Sequence, residues 1–461
     1  MEYVKLSKCA FFSTLRTKEI TLDNYITTEN MLPNKGGVCL VSELPSVNTA
    51  SKYEKNDILL SNIRPYFKKI WLADKIGSCS NDVLVVKSKE GYLPKFLYYV
   101  LSDNNFFNYA TVTSKGTKMP RGTPRAIMKY LVPDVTVEKQ KKIADILSTY
   151  DDLIENNNKR IKILEQMAEN LYQEWFVRFR FPRCKEIRFK ESSLGRIPET
   201  FSIVKMKDVI GQYIGGGWGN DDEDKNYSVG AFVIRGTDFP YVKKGDLSTC
   251  PFRYHKPSNY TARQLKLNDI ILEVSGGTAE QPVGRSILVT EDTLKRLKNR
   301  VICASFCKML RLNTNIIQPS YFIYWMNYLY ETRIIDKFQL QSTGIINFKF
   351  EYFLRKGDVL LPPADLMDAF SANIQKLKMQ IDKLAEINQN LIKQRDMLLP
   401  RLMSGKLEVK EAQEKVVAFK PKKTFAEFKN EFKAAARKDG GLTEQDMEEL
   451  YKAYCDDSRD E

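Results

Sequence analysis

Two stretches of this chain carry the same long hydrophobic seam. In the first, apolar residues fall at Ile143, Leu147, Tyr150, Ile154, Ile161, Leu164, Ala168, Leu171 and Trp175, with Asn157 as the polar member. In the second they fall at Phe370, Ile374, Leu377, Ile381, Leu384, Leu391, Leu398 and Leu402, with Asn388 and Arg395 as the polar members. Steps that alternate between four and three residues over several heptads predict coiled-coil helices rather than ordinary globular ones. At about 1.5 Å per residue, some 40 residues span roughly 60 Å. An asparagine within such a seam fixes register at some cost in stability. Each helix closes one half of the sequence. The pattern therefore predicts a pseudo-two-fold molecule whose helices pack antiparallel and carry two similar heads at opposite ends. Such a molecule is suited to reading two sites on one ligand.

The repeat continues into the heads. Asp57-Ile58-Leu59-Leu60 is matched by Asp269-Ile270-Ile271-Leu272, and Pro94-Lys95-Phe96-Leu97-Tyr98-Tyr99 by Pro319-Ser320-Tyr321-Phe322-Ile323-Tyr324. Gly116 is matched by Gly344, Leu131-Val132-Pro133 by Leu360-Leu361-Pro362, and Val4-Lys5-Leu6 by Val204-Lys205-Met206. Each match is weak alone, but all keep the same order, with offsets that drift as loop insertions would make them. Asp57 to Leu60, Lys69 to Ala73 and Asp82 to Val86 read as short strands. Leu93 to Leu101 reads as a buried helix, whose Phe96, Tyr98 and Tyr99 serve either the core or, as the alternative, base stacking.

Composition removes several classes. With 461 residues the chain has room for two to four domains, and its 43% hydrophobic content is ordinary for globular cores. No apolar run is long enough for a membrane span, and the N-terminus lacks a signal-peptide core. A cytoplasmic protein is expected, its eight cysteines reduced core residues. Cys303 and Cys307 lack the spacing of a zinc knuckle. The single histidine, His255, excludes histidine-based metal sites and triads. The net charge of +14 lies on the two repeated halves and points to a polyanion, with a merely basic surface as the alternative.

Three segments stand out as candidate contacts. The loop Ser114-Lys115-Gly116-Thr117-Lys118-Met119-Pro120-Arg121 is basic, and its glycine allows close approach to a phosphate; a solvated turn is the alternative. Arg253-Tyr254-His255-Lys256, with Arg263, interleaves cations and aromatics as nucleic-acid contacts do, although a solvated face fits as well. The run Gly215-Gly216-Gly217-Trp218-Gly219 fits neither the Walker pattern nor the dinucleotide fingerprint. The acidic residues Asp221 to Asp224 follow it, and it reads as a flexible turn. The second long helix is expected to break near Pro400. Beyond about Lys410 lies a charged, helix-favouring tail with Phe419, Phe425, Phe428, Phe432 and a Gly440-Gly441 break. No phosphate-binding lysine loop, amino-methyltransferase tetrad or nuclease signature is present; Leu361-Pro362-Pro363-Ala364 resembles the tetrad only superficially.

Gly195-Arg196-Ile197-Pro198-Glu199-Thr200-Phe201 resembles the entry to a target-recognition domain of type I restriction–modification specificity subunits. Leu398-Leu399-Pro400-Arg401-Leu402-Met403-Ser404-Gly405-Lys406-Leu407 resembles that family's closing segment. Asn62-Ile63-Arg64-Pro65-Tyr66-Phe67-Lys68-Lys69 resembles part of its first domain. The resemblance covers residues 1 to about 409. It implies an α+β chain of two similar mixed α/β target-recognition domains, residues 1–137 and 199–362. Two long antiparallel coiled-coil helices, 138–181 and 363–409, separate them, with a linker at 182–198 and an extension at 410–461.

The resemblance also implies a chain without catalytic, cofactor or metal residues of its own. Its expected partners are double-stranded DNA, two methyltransferase subunits and restriction/translocase subunits, which would use S-adenosylmethionine, Mg2+ and ATP. Helix positions Ile143, Leu147, Ile154, Asn157, Ile161, Ile381, Leu384, Asn388 and Leu391 would serve the spacer and its partners. The family has no universal DNA-contact residues. Charge and loop chemistry select Arg64, Lys68, Lys69, Lys115, Lys118, Arg121, Arg253, His255, Lys256 and Arg263. A coiled-coil scaffold with two protein-binding heads is the alternative, and the missing tetrad argues against a fused methyltransferase.

Overall fold

The computed structural model describes residues 2–41, 43–182, 188–278, 281–342 and 345–407, with 425, 426, 448, 451 and 452. Gly344, Cys184 in the linker, and Phe419, Phe428, Phe432, Gly440 and Gly441 in the tail lie outside the described residues. The chain forms two compact units, Met1–Glu155 with Gln389–Val417 and Asn156–Asn388 with Ala418–Glu461. Each unit holds one head and a part of both long helices.

In the first unit, strand Glu2–Lys5 runs into a one-turn helix, Leu6–Cys9, and then strand Ala10–Phe12. Leu6 and Cys9 are fully buried, which anchors that turn. An antiparallel sheet follows, in the order Ala10–Phe12, Val83–Ser88, Ile58–Ser61, Ile70–Leu72. The second unit repeats the plan. Ser202–Lys205 leads to Met206–Val209 and Ile210–Gly215, with Met206 and Val209 fully buried. Its sheet has the order Ile210–Gly215, Cys307–Leu312, Ile270–Glu273, Ser286–Leu288. The same strand order in these two sheets is what a duplication produces, while the smaller sheets of the two units differ.

The matched aspartates have matched roles. Asp57 accepts from the Glu54 N–H at 2.8 Å and pairs with Lys87 at 3.1 Å. Asp269 accepts from the Lys266 N–H at 2.7 Å and pairs with Arg311 at 2.7 Å. Each carboxylate closes the turn before its strand, and a cation from the neighbouring strand compensates its burial.

One match is corrected. In the first unit Lys5 lies opposite Leu131, and in the second Lys205 lies opposite Asp358. Leu131 therefore corresponds to Asp358, two residues before Leu360. The two prolines had suggested the wrong register. Strand side chains alternate with period two, so the slip leaves each residue on the same face and is invisible to hydrophobic pattern.

The first long helix runs Val137–Tyr172 and ends in a π-turn, Gln173–Val177. The second runs Ala364–Met403 straight through Pro400, so the expected break does not occur. A proline lacks the N–H that would bond the Asp396 carbonyl. Leu399, Leu402 and Met403 are buried in the first unit's core and hold the last turn in place.

The helices are antiparallel in both units. In the first, Ile143 and Leu147 share a core with Leu399 and Leu402, and Arg395 pairs with Asp151. Asp151 also accepts from the Tyr99 hydroxyl at 2.6 Å, and Asp396 pairs with Lys35 at 3.2 Å. Ile154 and Leu391 are half-buried there. In the second, Ile161 shares a core with Ile381 and Leu384.

The two seam asparagines of the second unit meet. Asn157 Nδ2 donates to Asn388 Oδ1 at 2.9 Å, and Asn388 Nδ2 donates to Asn158 Oδ1 at 3.0 Å. Asn388→Leu should cost about 1–3 kcal/mol, because it leaves the buried Asn157 amide unpaired. The double variant Asn157→Leu/Asn388→Leu should recover wild-type stability or exceed it. Urea titrations of the three variants and wild type check this as a double-mutant cycle.

Candidate nucleic-acid interface

Two basic segments that are far apart in the first half of the sequence lie side by side in the first unit. After strand Ile58–Ser61 the chain enters a single 3-10 turn, Pro65–Phe67, flanked by Arg64 at φ 49° and Lys68 at φ 52°. Two non-glycine residues in the left-handed region need outside support. Arg64 N–H donates to Pro120 O at 2.7 Å, and Gly122 N–H to Asn62 O at 2.9 Å. Isolated bridges join Ile63 to Arg121 and Lys115 to Arg121. Asn34 and Lys35 N–H groups donate to Phe67 O and Lys68 O, both at 2.8 Å.

The surface this creates is cationic and aromatic. Tyr66 and Phe67 are exposed with ring centroids 4.7 Å apart, and the Lys69 ammonium lies 5.8 Å from the Phe67 ring. Burial lowers the Lys69 pKa, and its Nζ donates to Thr28 O at 2.5 Å. Lys68 Nζ donates to Asn104 Oδ1 at 2.8 Å. Arg121 pairs with Asp82 at 3.2 Å, both partly exposed. Lys115 and Lys118 are exposed and pair with no carboxylate among the described residues. Arg64 Nε is buried without a partner among those residues.

The second unit places a different structure at the corresponding point. Strand Ser275–Gly277 pairs with a hairpin formed by Gln339–Ser342 and Ile345–Phe348. The first head has two single bridges where the second has a three-stranded sheet with a register shift between Ser275 and Gly277. Sequence reading missed this sheet.

The remaining candidates cluster around the glycine run of the second unit. Gly216 and Gly217 N–H groups donate to Cys307 O and Cys303 O, each at 2.9 Å. A Cβ at Gly216 would come 2.1 Å from Ala304 O, so only glycine fits. The run is a segment continuing from strand Ile210–Gly215 and held by backbone hydrogen bonds, not the flexible turn expected. Arg253 is turned inward. Its guanidinium lies 4.6 Å from the Trp218 ring, pairs with Asp221 and donates to Gly219 O at 3.3 Å. His255 is 3% exposed, and its Nε2 has no partner among the described residues. Lys256 is exposed with its ammonium 5.4 Å from the Tyr227 ring, and Arg263 Nε donates to Gly215 O at 2.9 Å. Arg253 and His255 therefore build the segment from inside, while Lys256 and Arg263 stand at its rim.

Cys303 and Cys307 are buried, and burial pushes the Cys303 thiol up to about 12. Among the described residues no group of histidine, cysteine and carboxylates is arranged to hold a metal ion. No described helix is long and apolar enough to cross a membrane.

Burial first, then the neighbouring Arg253 charge, lowers the His255 pKa below its ordinary value. The unfolded chain then binds this proton more readily than the folded one. The stability His255 contributes is complete above the unfolded pKa of about 6.5 and is lost as pH falls through the lower folded value. The urea midpoint should decline between pH 7 and pH 5, and His255→Gln should flatten that decline.

The fold is that of a twice-repeated mixed head joined to long paired helices, with cations and exposed aromatics gathered on loops. The chain is similar to known proteins of one kind. Residues 5–166 match the type I restriction modification DNA specificity domain. The chain is 24% identical over 331 residues to the type I restriction enzyme MjaIX specificity subunit of Methanocaldococcus jannaschii, covering 70% of this chain and 71% of that one. It is 31% identical over 170 residues to the HindI specificity subunit of Haemophilus influenzae, covering 35% and 37%. A crystal structure of a type I restriction–modification S subunit from M. genitalium aligns over 89% of this chain and 96% of that one, at 13% identity and a TM-score of 0.46. Residues 5–166 thus match a type I restriction modification DNA specificity domain, and over most of its length the chain is similar to specificity subunits of type I restriction enzymes.

Proposed function

We propose that this chain reads a two-part DNA site for a type I restriction–modification complex, one part per head. The observation that carries the reading is the repeat itself: two heads whose main four-stranded sheets share one strand order, each with its own loops at the matching sheet edge. One framework used twice with different loops suits two different half-sites. Lys115 and Lys118, exposed and paired with no carboxylate among the described residues, suit a nucleic-acid surface in the first head together with exposed Tyr66 and Phe67. The chain is a recognition subunit, not itself an enzyme. The paired helices are the proposed docking surface for two methyltransferase subunits, one on each half of the pseudo-symmetric face. Restriction/translocase subunits complete the complex, and S-adenosylmethionine, Mg2+ and ATP belong to those partners.

The test is to map methylated adenines in the host genome with and without this gene. Loss of one bipartite methylated motif supports the reading, and an unchanged methylome refutes it. Purified alone, the chain should transfer no methyl group from S-adenosylmethionine and cut no DNA. Copurified, it should hold two methyltransferase subunits per chain.

A further inference from the structure

The recess beside the glycine run has the chemistry of an anion site. It is lined by Gly216 to Gly219, Tyr227, His255, Lys256, Asn259, Arg263 and Ile302, and its volume is about 230 Å³. Two cations stand in its wall, and neither Lys256 nor Arg263 forms an ion pair among the described residues. Of the nearby acids, Asp224 lies close enough to Lys256 for their charges to interact. Asp221 is held by Arg253. The Asp224 carboxylate accepts from the N–H groups of Asn226 at 2.7 Å and Tyr227 at 2.9 Å. Asp222 and Glu223 remain exposed on the same loop. A Cβ at Gly219 would come 2.4 Å from Tyr254 O and 2.7 Å from the His255 ring, so glycine lets the chain pack against that ring; one at Gly217 would make only ordinary contacts.

A second, independent observation points to a ligand. His255 lines the recess, is 97% buried, and leaves Nε2 without a hydrogen-bond partner among the described residues. An unpaired buried polar atom is costly, and a ligand oxygen would satisfy it. We propose that this recess receives one phosphodiester group of the DNA backbone, held by Lys256, Arg263 and His255 Nε2–H. The proposal rests on the reading of the chain as a DNA-recognition subunit, and it assigns these residues to positioning the second head rather than to reading bases.

The experiment uses the full chain and labelled duplexes that carry the mapped site, intact or altered in one half. Lys256→Gln and Arg263→Gln should each lower affinity by the same factor on every duplex. Each should also reduce the slope of log affinity against log salt by about 0.9. Lys266→Gln, a change of an exposed lysine that does not line the recess, should leave the slope unchanged and controls for net charge. Thermal melts report folding. If Arg263→Gln fails to fold, because its Nε tie to Gly215 is lost, Lys256→Gln decides alone. Unchanged slopes with wild-type binding intact overturn the inference. So does selective loss of discrimination at one half-site, which would mean base reading. Saturable binding of inorganic phosphate that both variants abolish, without change in the DNA slope, assigns the recess to a free anion and overturns it as well. A wild-type chain that binds no duplex overturns the recognition reading itself, and the inference with it.

Discussion

Replacing Phe370 with alanine should destabilise the second unit by about 3–5 kcal/mol, the range for removing a fully buried phenylalanine. The ring is 0% exposed and sits where three elements meet. Its centroid lies 5.0 Å from Phe176 and 6.0 Å from Trp175 at the end of the first long helix. It lies 5.7 Å from Tyr324 on the head's own helix, Pro319–Glu331. Helix, partner helix and head would all border the cavity, so little can move in to fill it. Leu391→Ala, at a half-buried seam position of the first unit, should cost much less. Urea titration followed by intrinsic tryptophan fluorescence checks both. Equal costs would mean that the seam, and not the aromatic cluster, sets the stability of these helices.

The seams were legible because a coiled coil writes its contacts into one-dimensional spacing. Asn157 and Asn388 stood out as polar breaks in two apolar rows, and their amides meet across the paired helices. Asp57 and Asp269 were legible as matching letters, but their turn-closing role and their cationic partners Lys87 and Arg311 were not. Those cations come from strands adjacent in the sheet but distant in the sequence, and sequence spacing carries no information about strand order. The same limit explains the register slip at Leu131, where a two-residue shift changes no facing. Helix continuity through Pro400 was misread because the local rule is strong and the buried Leu399, Leu402 and Met403 that override it are visible only after packing.

The candidate contacts divide along the same line. Charge singled out Arg253 as readily as Lys256, yet one is stacked inside on Trp218 and the other stands exposed. Local composition contains nothing that separates them. The difference comes from the acidic loop, where Asp221 folds back on Arg253. The glycine run looked flexible because glycine permits both mobility and close approach. Gly216 shows the second use, since the Ala304 carbonyl occupies the space of its missing side chain.

The joint variant Lys115→Ala/Lys118→Ala/Arg121→Ala should abolish or strongly weaken recognition of one half-site and leave the other intact. The motive is the backbone bonding that fixes this loop beside Arg64, from Pro120 O to the Arg64 N–H and from Asn62 O to the Gly122 N–H. A loop so held presents its side chains at defined positions at little entropic cost on binding. Lys115 and Lys118 need break no ion pair among the described residues to engage DNA; Arg121 must leave Asp82, a partly exposed partner that holds it weakly. If these side chains read base edges, each good contact is worth about 1–3 kcal/mol, or roughly 5- to 150-fold in discrimination. If they touch phosphates, affinity should instead fall uniformly and the salt slope should drop by about 0.9 per contact. The readout is methylation of a panel of sites altered in one half at a time, with the methyltransferase subunits present. Lys256→Ala/Arg263→Ala, in the other head, should not relax reading of the half-site assigned to the first. A triple variant that reads and methylates every site as wild type does would remove this loop from the DNA interface.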